Sequence, residues 1–316
     1  MNLLEVQDLK KYFDTNHGTL HAVDGISFCL QANETLGVVG ESGCGKSTLG
    51  RTLLHLLEPT SGTISFCGED ITAPSRERLK ELRGQMQMIF QDPYASINPR
   101  MTVEETIMEP LQLYKLCHSQ EEYHRQALEI MDIVGLAKRY ANTYPHELDG
   151  GRRQRIGIGR AIALDPQFIV CDEPVSALDV SIQAQVLNLM QDLQRERGIS
   201  YIFITHDLSV VRHISDQIMV MYLGCCMENA PADALFAHQY HPYTQALLSA
   251  IPQVKKEKRR ARIIMKGEIT SPIDLPDGCR FAPRCPHATD LCRSTTPQLT
   301  EVAPNHTVAC HFAGRI

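Results

Sequence analysis

The stretch Gly40-Glu41-Ser42-Gly43-Cys44-Gly45-Lys46-Ser47-Thr48 has the residue types and spacing to hold a polyphosphate. It fits G-x-x-x-x-G-K-[ST], and its flanks fit too. The apolar run Thr35-Leu36-Gly37-Val38-Val39 predicts a buried strand leading in, and residues 48–54 predict a helix leading out. Glycines let the backbone wrap close to phosphate, and successive N–H groups with the positive end of the helix then face the anion. Lys46 is expected to reach the β- and γ-phosphates, and the Ser47 hydroxyl to ligate Mg²⁺. A second group lies far along the chain. Phe168-Ile169-Val170-Cys171-Asp172-Glu173 reads as an apolar strand ending in two carboxylates. Asp172 suits outer-sphere coordination of Mg²⁺, and Glu173 suits polarising a water for attack on a γ-phosphate. His206, after the apolar run 201–205, is placed to sense that phosphate from the far side.

The third group is the tail, where Cys279, Cys285, Cys292 and Cys310 follow the spacing C-x5-C-x6-C-x17-C. Four thiolates can hold zinc or an iron–sulfur cluster, and the spacing is not the C-x2-C of common zinc fingers. Unliganded cysteines are the third reading. The other seven of the 11 cysteines are single or sit in the pair Cys225-Cys226, which fits reduced thiols in a cytosolic protein.

The elements that must position these groups follow from periodicity. Residues 3–30 read as strands with turns at Asn16-His17-Gly18 and Asp24-Gly25. Residues 63–66 and 85–90 read as strands, residues 76–84 as a helix, and residues 92–100 as a turn-rich segment. Ile107, Met108 and Leu111, then Ala127, Ile130, Met131 and Val134, recur at helical spacing, so about 100–160 is a helical insertion between two halves of a core. Strands at 167–171, 201–205 and 217–222 alternate with helices at 154–164 and 180–195. That order predicts an α/β fold with a mostly parallel sheet covered on both faces. Gly40, Gln91, Asp172 and His206 all fall at the carboxyl ends of strands, where such folds bind ligands. Residues 236–266 read as a helix start at His241-Pro242-Tyr243-Thr244 and a charged linker containing Lys255–Arg260. Residues 267–316, rich in Pro and Cys, read as a small appended module.

With 316 residues and 43% hydrophobic content the chain can bury a large core. The net charge of -6 argues against a general nucleic-acid binder. No apolar run approaches the about 20 residues that span a bilayer, and the first residues do not resemble a signal peptide.

The ordered set resembles the ATP-binding subunits of ATP-binding cassette (ABC) transporters over roughly residues 1–235. It comprises Phe13 or its neighbour Tyr12, Gly40 to Thr48, Gln91, Leu148-Asp149-Gly150-Gly151-Arg152, Asp172-Glu173, Ser176-Ala177-Leu178-Asp179 and His206. The resemblance implies a phosphate-loop cassette with a mostly parallel core sheet, an antiparallel β subdomain and a helical subdomain, followed by the small Cys-rich module. It implies adenine stacking on Phe13 or Tyr12. Gln91 would link Mg²⁺ and the attacking water to a membrane-subunit contact, and Asp179 would lie at the interface between two cassettes. It further implies a head-to-tail dimer in which the signature 148–152 of one chain completes the ATP site of the other. Here the signature departs from the family, which usually has Ser where this chain has Asp149. A serine hydroxyl can donate to phosphate and an ionised carboxylate cannot. Asp149 either faces the nucleotide beside Gly150 and Gly151, or turns away and caps the next helix.

Residues 89–100, the His241-Pro242-Tyr243-Thr244 start and the tail from Cys279 to Cys310 resemble the oligopeptide/dipeptide importer subclass, in its second, F-type, ATPase. That resemblance implies a second, different ATPase subunit, two integral membrane permease subunits and an extracytoplasmic substrate-binding protein, with this chain peripheral on the cytoplasmic face. It favours a [4Fe–4S] cluster over zinc in the tail. Relatives that carry nickel or other small solutes leave the substrate open, and a soluble, non-transport ABC ATPase is the competing function.

Overall fold

The computed structural model describes residues 2–251, 263–265, 267, 273–275 and 277–315. The chain divides into two compact units, one of Met1–Gln31, Thr35–Ala73 and Phe203–Ile316, the other of Ala32–Glu34 and Pro74–Ile202. The charge run Lys255–Arg260 lies outside the described residues. Among those described, no helix is long and apolar enough to cross a membrane.

The first unit holds an antiparallel sheet of four strands. In order these are Gly18–Gln31, Asn2–Thr15, Ser61–Phe66 and Glu69–Asp70. The long hairpin turns at Asn16-His17, as the sequence predicts. Asp24-Gly25 forms no turn. Pairing passes from Leu9↔Ile26 to Lys11↔Val23, so the second strand carries one extra residue there, a bulge that Gly25 permits with φ 73°. Ile26, Phe28 and Leu30 are buried while Ser27, Cys29 and Gln31 are exposed, the period-2 pattern of a strand with one face on the core.

The unit's other strands run Thr300–Ala303, His306–Val308, Cys225–Pro231, Gln217–Tyr222, Thr35–Val39. The first three pairings are antiparallel and the last is parallel. Thr35–Val39 is buried throughout, which is why it reads as a continuous apolar run. A Cβ on Gly37 would lie 2.5 Å from Ser215 Oγ and 2.9 Å from Val211 Cγ1, so glycine lets the helix Leu208–Ile214 lie against this strand. Two features go beyond the sequence expectation. Cys225–Pro231 is a further strand, and the tail, expected as a small appended module, contributes a hairpin to the sheet through Glu228↔Val308.

In the second unit Met86–Ile89 pairs in parallel with Phe168–Asp172. Helices Val103–Tyr114, Gln120–Ile133 and Gly150–Ile162 pack together, burying Ile107, Met108, Leu111, Ala127, Ile130, Met131 and Ile156. Their starts are set locally. Thr102 and Glu105 form a reciprocal capping box, and Ser119 accepts from Glu122 N. The turn-rich stretch 92–100 contains a short helix, Pro93–Ser96, capped by Asp92. The strand Ser200–Thr205 follows in sequence, with Ile202 the last residue of this unit.

Candidate nucleotide site

The phosphate loop leaves the buried strand Thr35–Val39 and enters the helix Lys46–Leu53. Gly40, Gly43 and Gly45 have φ of 156°, 76° and 104°. A Cβ at Gly45 would meet Ala22 O at 1.9 Å, and one at Gly40 would meet Met221 O at 2.2 Å. These two glycines are therefore required by space as well as by conformation. The helix has no side-chain cap, which leaves its first amides to face an incoming anion. Lys46 is only 5% exposed, and its Nζ donates to Gly40 O at 2.8 Å and Glu41 O at 2.9 Å. The lysine thus folds back on the loop it serves. Burial raises the Cys44 thiol above its ordinary range, so it stays protonated under the loop.

Two residues outside the predicted nucleotide motifs also meet this loop. Glu41 N donates to Tyr243 Oη at 2.9 Å, and Arg284 donates to both Glu41 carboxylate oxygens. Both lie in stretches marked above as subclass features, but no local pattern links either one to the loop.

The two adenine candidates separate. Tyr12 Oη donates to Asp24 Oδ1 at 2.5 Å, and its ring centroid lies 4.2 Å from that of His21. Asp24 also pairs with Arg280. Burial and Asp24 hold the Tyr12 hydroxyl well above its ordinary range, so it remains a donor. Phe13 stands outside that network, with Lys11 Nζ 4.8 Å from its ring centroid. His206 is exposed at the end of its strand. The next residue, Asp207, caps Leu208–Ile214 by accepting from Ser209 N at 2.8 Å.

In the second unit Asp172 is buried at the end of Phe168–Asp172, and Glu173 follows at φ 46°. A non-glycine residue held there stores about 1–3 kcal/mol of backbone strain. Gln91 Nε2 donates to Glu173 Oε2 at 3.0 Å, so the structure brings these two predicted residues together. The hydroxyl, amide and carboxylate oxygens of Ser47, Gln91 and Asp172 are hard donors suited to Mg²⁺. Gln91 also lines a cavity of about 190 Å³ with Gly150, Arg153 and Leu178.

The signature's Gly150 begins the helix Gly150–Ile162. Asp149 caps it, its Oδ1 accepting from Arg152 N at 2.8 Å while Oδ2 pairs with the Arg152 guanidinium. Of the two readings of Asp149, this geometry is the cap. A Cβ on Gly151 would lie 2.6 Å from Ile182 Cγ2, so this glycine seats the helix against Val180–Arg197.

In the tail, Cys279, Cys285, Cys292 and Cys310 all line one cavity of about 20 Å³, together with His241, Phe281, His287 and His311. Cys279 N donates to Cys292 O at 2.7 Å, tying two of the cysteine-bearing segments. Burial, reinforced by the other three thiols, pushes Cys279 up to about 11. The expected ligand group is nonetheless not in place: among the described residues no three of His, Cys, Asp or Glu stand close enough to hold a metal ion.

Comparison with known proteins agrees with this geometry. The ABC transporter family model matches residues 23–176, and the model for the oligopeptide/dipeptide transporter C-terminal region matches residues 227–292. The oligopeptide transport ATP-binding protein AppF of Bacillus subtilis is 51% identical, covering 98% of this chain and 97% of its own. The putative oligopeptide transport ATP-binding protein YkfD of the same organism is also 51% identical, covering 98% and 95%. Among solved structures, a dimeric ATP-binding cassette in a post-hydrolysis state bound to ADP and phosphate aligns with TM-score 0.66 and 26% identity, over 72% of this chain and 98% of its own. The cbiO1 protein of Clostridium perfringens aligns with TM-score 0.67 and 26% identity, over 75% and 92%. A phosphate loop, a strand-end carboxylate pair and a capped signature helix, in a chain half identical to these relatives along nearly its whole length, place it in the family of ABC transporter ATP-binding proteins that carry the oligopeptide/dipeptide C-terminal region.

Proposed function

We propose that the chain is the ATP-hydrolysing subunit that powers import of di- and oligopeptides. The observation that carries this reading is 51% identity to an oligopeptide transport ATP-binding protein over 98% of the chain. The Gln91–Glu173 pair and the glycine-built phosphate loop supply the chemistry.

Lys46 exchanges its two carbonyl partners for the β- and γ-phosphates when the nucleotide enters. The Gln91 amide orients the Glu173 carboxylate, which accepts a proton from the attacking water. His206 contacts the γ-phosphate, and Phe13 offers the adenine-stacking ring. Ser47, Gln91 and Asp172 would hold Mg²⁺, which when bound offsets charge on the β- and γ-oxygens. Cys279, Cys285, Cys292 and Cys310 would hold a [4Fe–4S] cluster or zinc. Their clustered spacing in the sequence is what supports that reading, and a bound centre would staple a segment with little core of its own.

The working assembly is a pair of unlike ATPase subunits on the cytoplasmic face of two permease subunits, supplied by an extracytoplasmic binding protein. The test is reconstitution of that assembly in vesicles. Peptide uptake should require ATP, and Glu173→Gln should stop uptake and hydrolysis while nucleotide still binds. Uptake of nickel but not peptide would reject the substrate class. Full activity of a complex without permeases, on a soluble partner, would reject transport.

A further inference from the structure

Glu41 is the second residue of the phosphate loop, and each of its polar groups is engaged. Its N–H donates to Tyr243 Oη at 2.9 Å, and its carbonyl accepts from Lys46 Nζ at 2.9 Å. Its carboxylate receives Arg284 Nη1 at 2.6 Å and Nη2 at 3.1 Å. Two of these partners come from the chain beyond the cassette.

Arg284 is 7% exposed, and its guanidinium lies 5.8 Å from the Tyr222 ring centroid. Its Nε finds no partner among the described residues. The orientation of the side chain is therefore set by the fork on Glu41, not by saturation of its donors. Tyr222, Tyr243 and Phe281 pack against one another with centroids 4.8 to 5.4 Å apart, which holds both contacts rigidly.

The charge on Glu41 is the wrong sign for its position. A carboxylate in a loop that cradles a polyphosphate repels the ligand, and a bidentate arginine cancels that charge while fixing its direction. We propose that Arg284 and Tyr243 are positioning residues for nucleotide binding. Arg284 neutralises and orients Glu41, Tyr243 pins the loop backbone, and the C-terminal region thereby sets the affinity of the phosphate loop for nucleoside triphosphate. This rests on the phosphate loop being the ATP site.

The experiment titrates the full chain with a fluorescent ATP analogue and Mg²⁺, and measures ATPase KM and kcat in the assembled complex. Arg284→Gln should weaken binding about tenfold, the scale of one like-charge contact at a partly exposed site, through KM with kcat nearly unchanged. Adding Glu41→Gln to Arg284→Gln should restore affinity. Glu41→Gln alone, which leaves an unopposed arginine near the loop, should bind more tightly and serves if Arg284→Gln does not fold. A folded Arg284→Gln with unchanged affinity, a double variant as weak as the single, or weaker binding by Glu41→Gln would each overturn the proposal. Lys46→Ala separates the two readings. If it leaves binding intact, the site assignment itself fails. If it abolishes binding while Arg284→Gln has no effect, only the clamp fails.

Discussion

His241 sits where pH can loosen the phosphate-loop support. It is buried, caps the helix Pro242–Ser249, and its Nδ1 accepts from Tyr243 N at 3.1 Å. Burial lowers its pKa from 6.5 to about 4, with Glu228 pulling weakly the other way. The unfolded chain therefore binds a proton between pH 6.5 and 4 that the folded chain refuses, so stability is complete above pH 6.5 and falls as pH drops toward 4. At pH 5 the difference amounts to about 2 kcal/mol, the two pKa values taken through the linkage relation. The surrounding groups are the Glu228 carboxylate, His306 on the same carboxylate, and the tail thiols with His287 and His311 around the cavity. Comparison with His241→Asn cancels their share, since asparagine keeps an acceptor for the cap but does not titrate. Denaturant midpoints at pH 8 and pH 5 should show the wild type losing about 2 kcal/mol more than His241→Asn. Equal losses in the two proteins would refute the reasoning. Because the capped helix carries Tyr243, ATP KM should rise at pH 5 in the wild type and less in the variant.

Glu173→Gln should leave nucleotide binding intact and lower turnover by about 10²- to 10⁴-fold, read by binding titration beside phosphate release. Asp149→Ala should cost about 1 kcal/mol of stability through the lost cap, whereas Asp149→Ser, which keeps the cap, should stay within about 0.5 kcal/mol, because the Arg152 pair is exposed. A marked rise in ATPase activity with Asp149→Ser would show instead that the carboxylate faces the partner's nucleotide. Gly45→Ala should abolish ATP binding, since its Cβ would fall 1.9 Å from Ala22 O; near-normal affinity would mean that the loop has another conformation. Anaerobically purified protein should carry iron with acid-labile sulfide, or else stoichiometric zinc, and lose it in a Cys279→Ser, Cys285→Ser variant. Absence of both metals would reject the tail centre.

What the sequence revealed was whatever its own neighbours encode. Thr35–Val39 and Phe168–Asp172 were legible because a strand buried on both faces must be apolar throughout. The helices at 103–114 and 120–133 announced themselves by the spacing of Ile107, Met108 and Leu111 and of Ala127, Ile130 and Met131. Cys225–Pro231 was not legible, because Glu228 and Asn229 interrupt it and Pro231 ends it. Glu228 is buried all the same, satisfied by His306 Nε2 at 2.7 Å and by the N–H groups of Tyr240 and His241. The Asp24-Gly25 pair has the composition of a turn, and only the opposing strand turns it into a bulge. In the site, the phosphate loop and the carboxylates were readable from spacing. Arg284 was not, because its partner lies 243 positions away.

The strand His306–Val308 has a consequence for how the chain is made. It closes the side of Cys225–Pro231, and His306 meets Glu228 from 78 positions downstream. During synthesis the cassette emerges with one side of that strand open, the other paired with Gln217–Tyr222, and with Glu228 lacking its imidazole partner, a margin on which another nascent chain can add. The hairpin of Thr300–Ala303 and His306–Val308, made later than the strand it pairs with, is the part that seals it. Clones trimmed after residue 235 should therefore precipitate during expression even with every nucleotide-binding residue in place, and trimming should spare solubility only from about residue 310 onward.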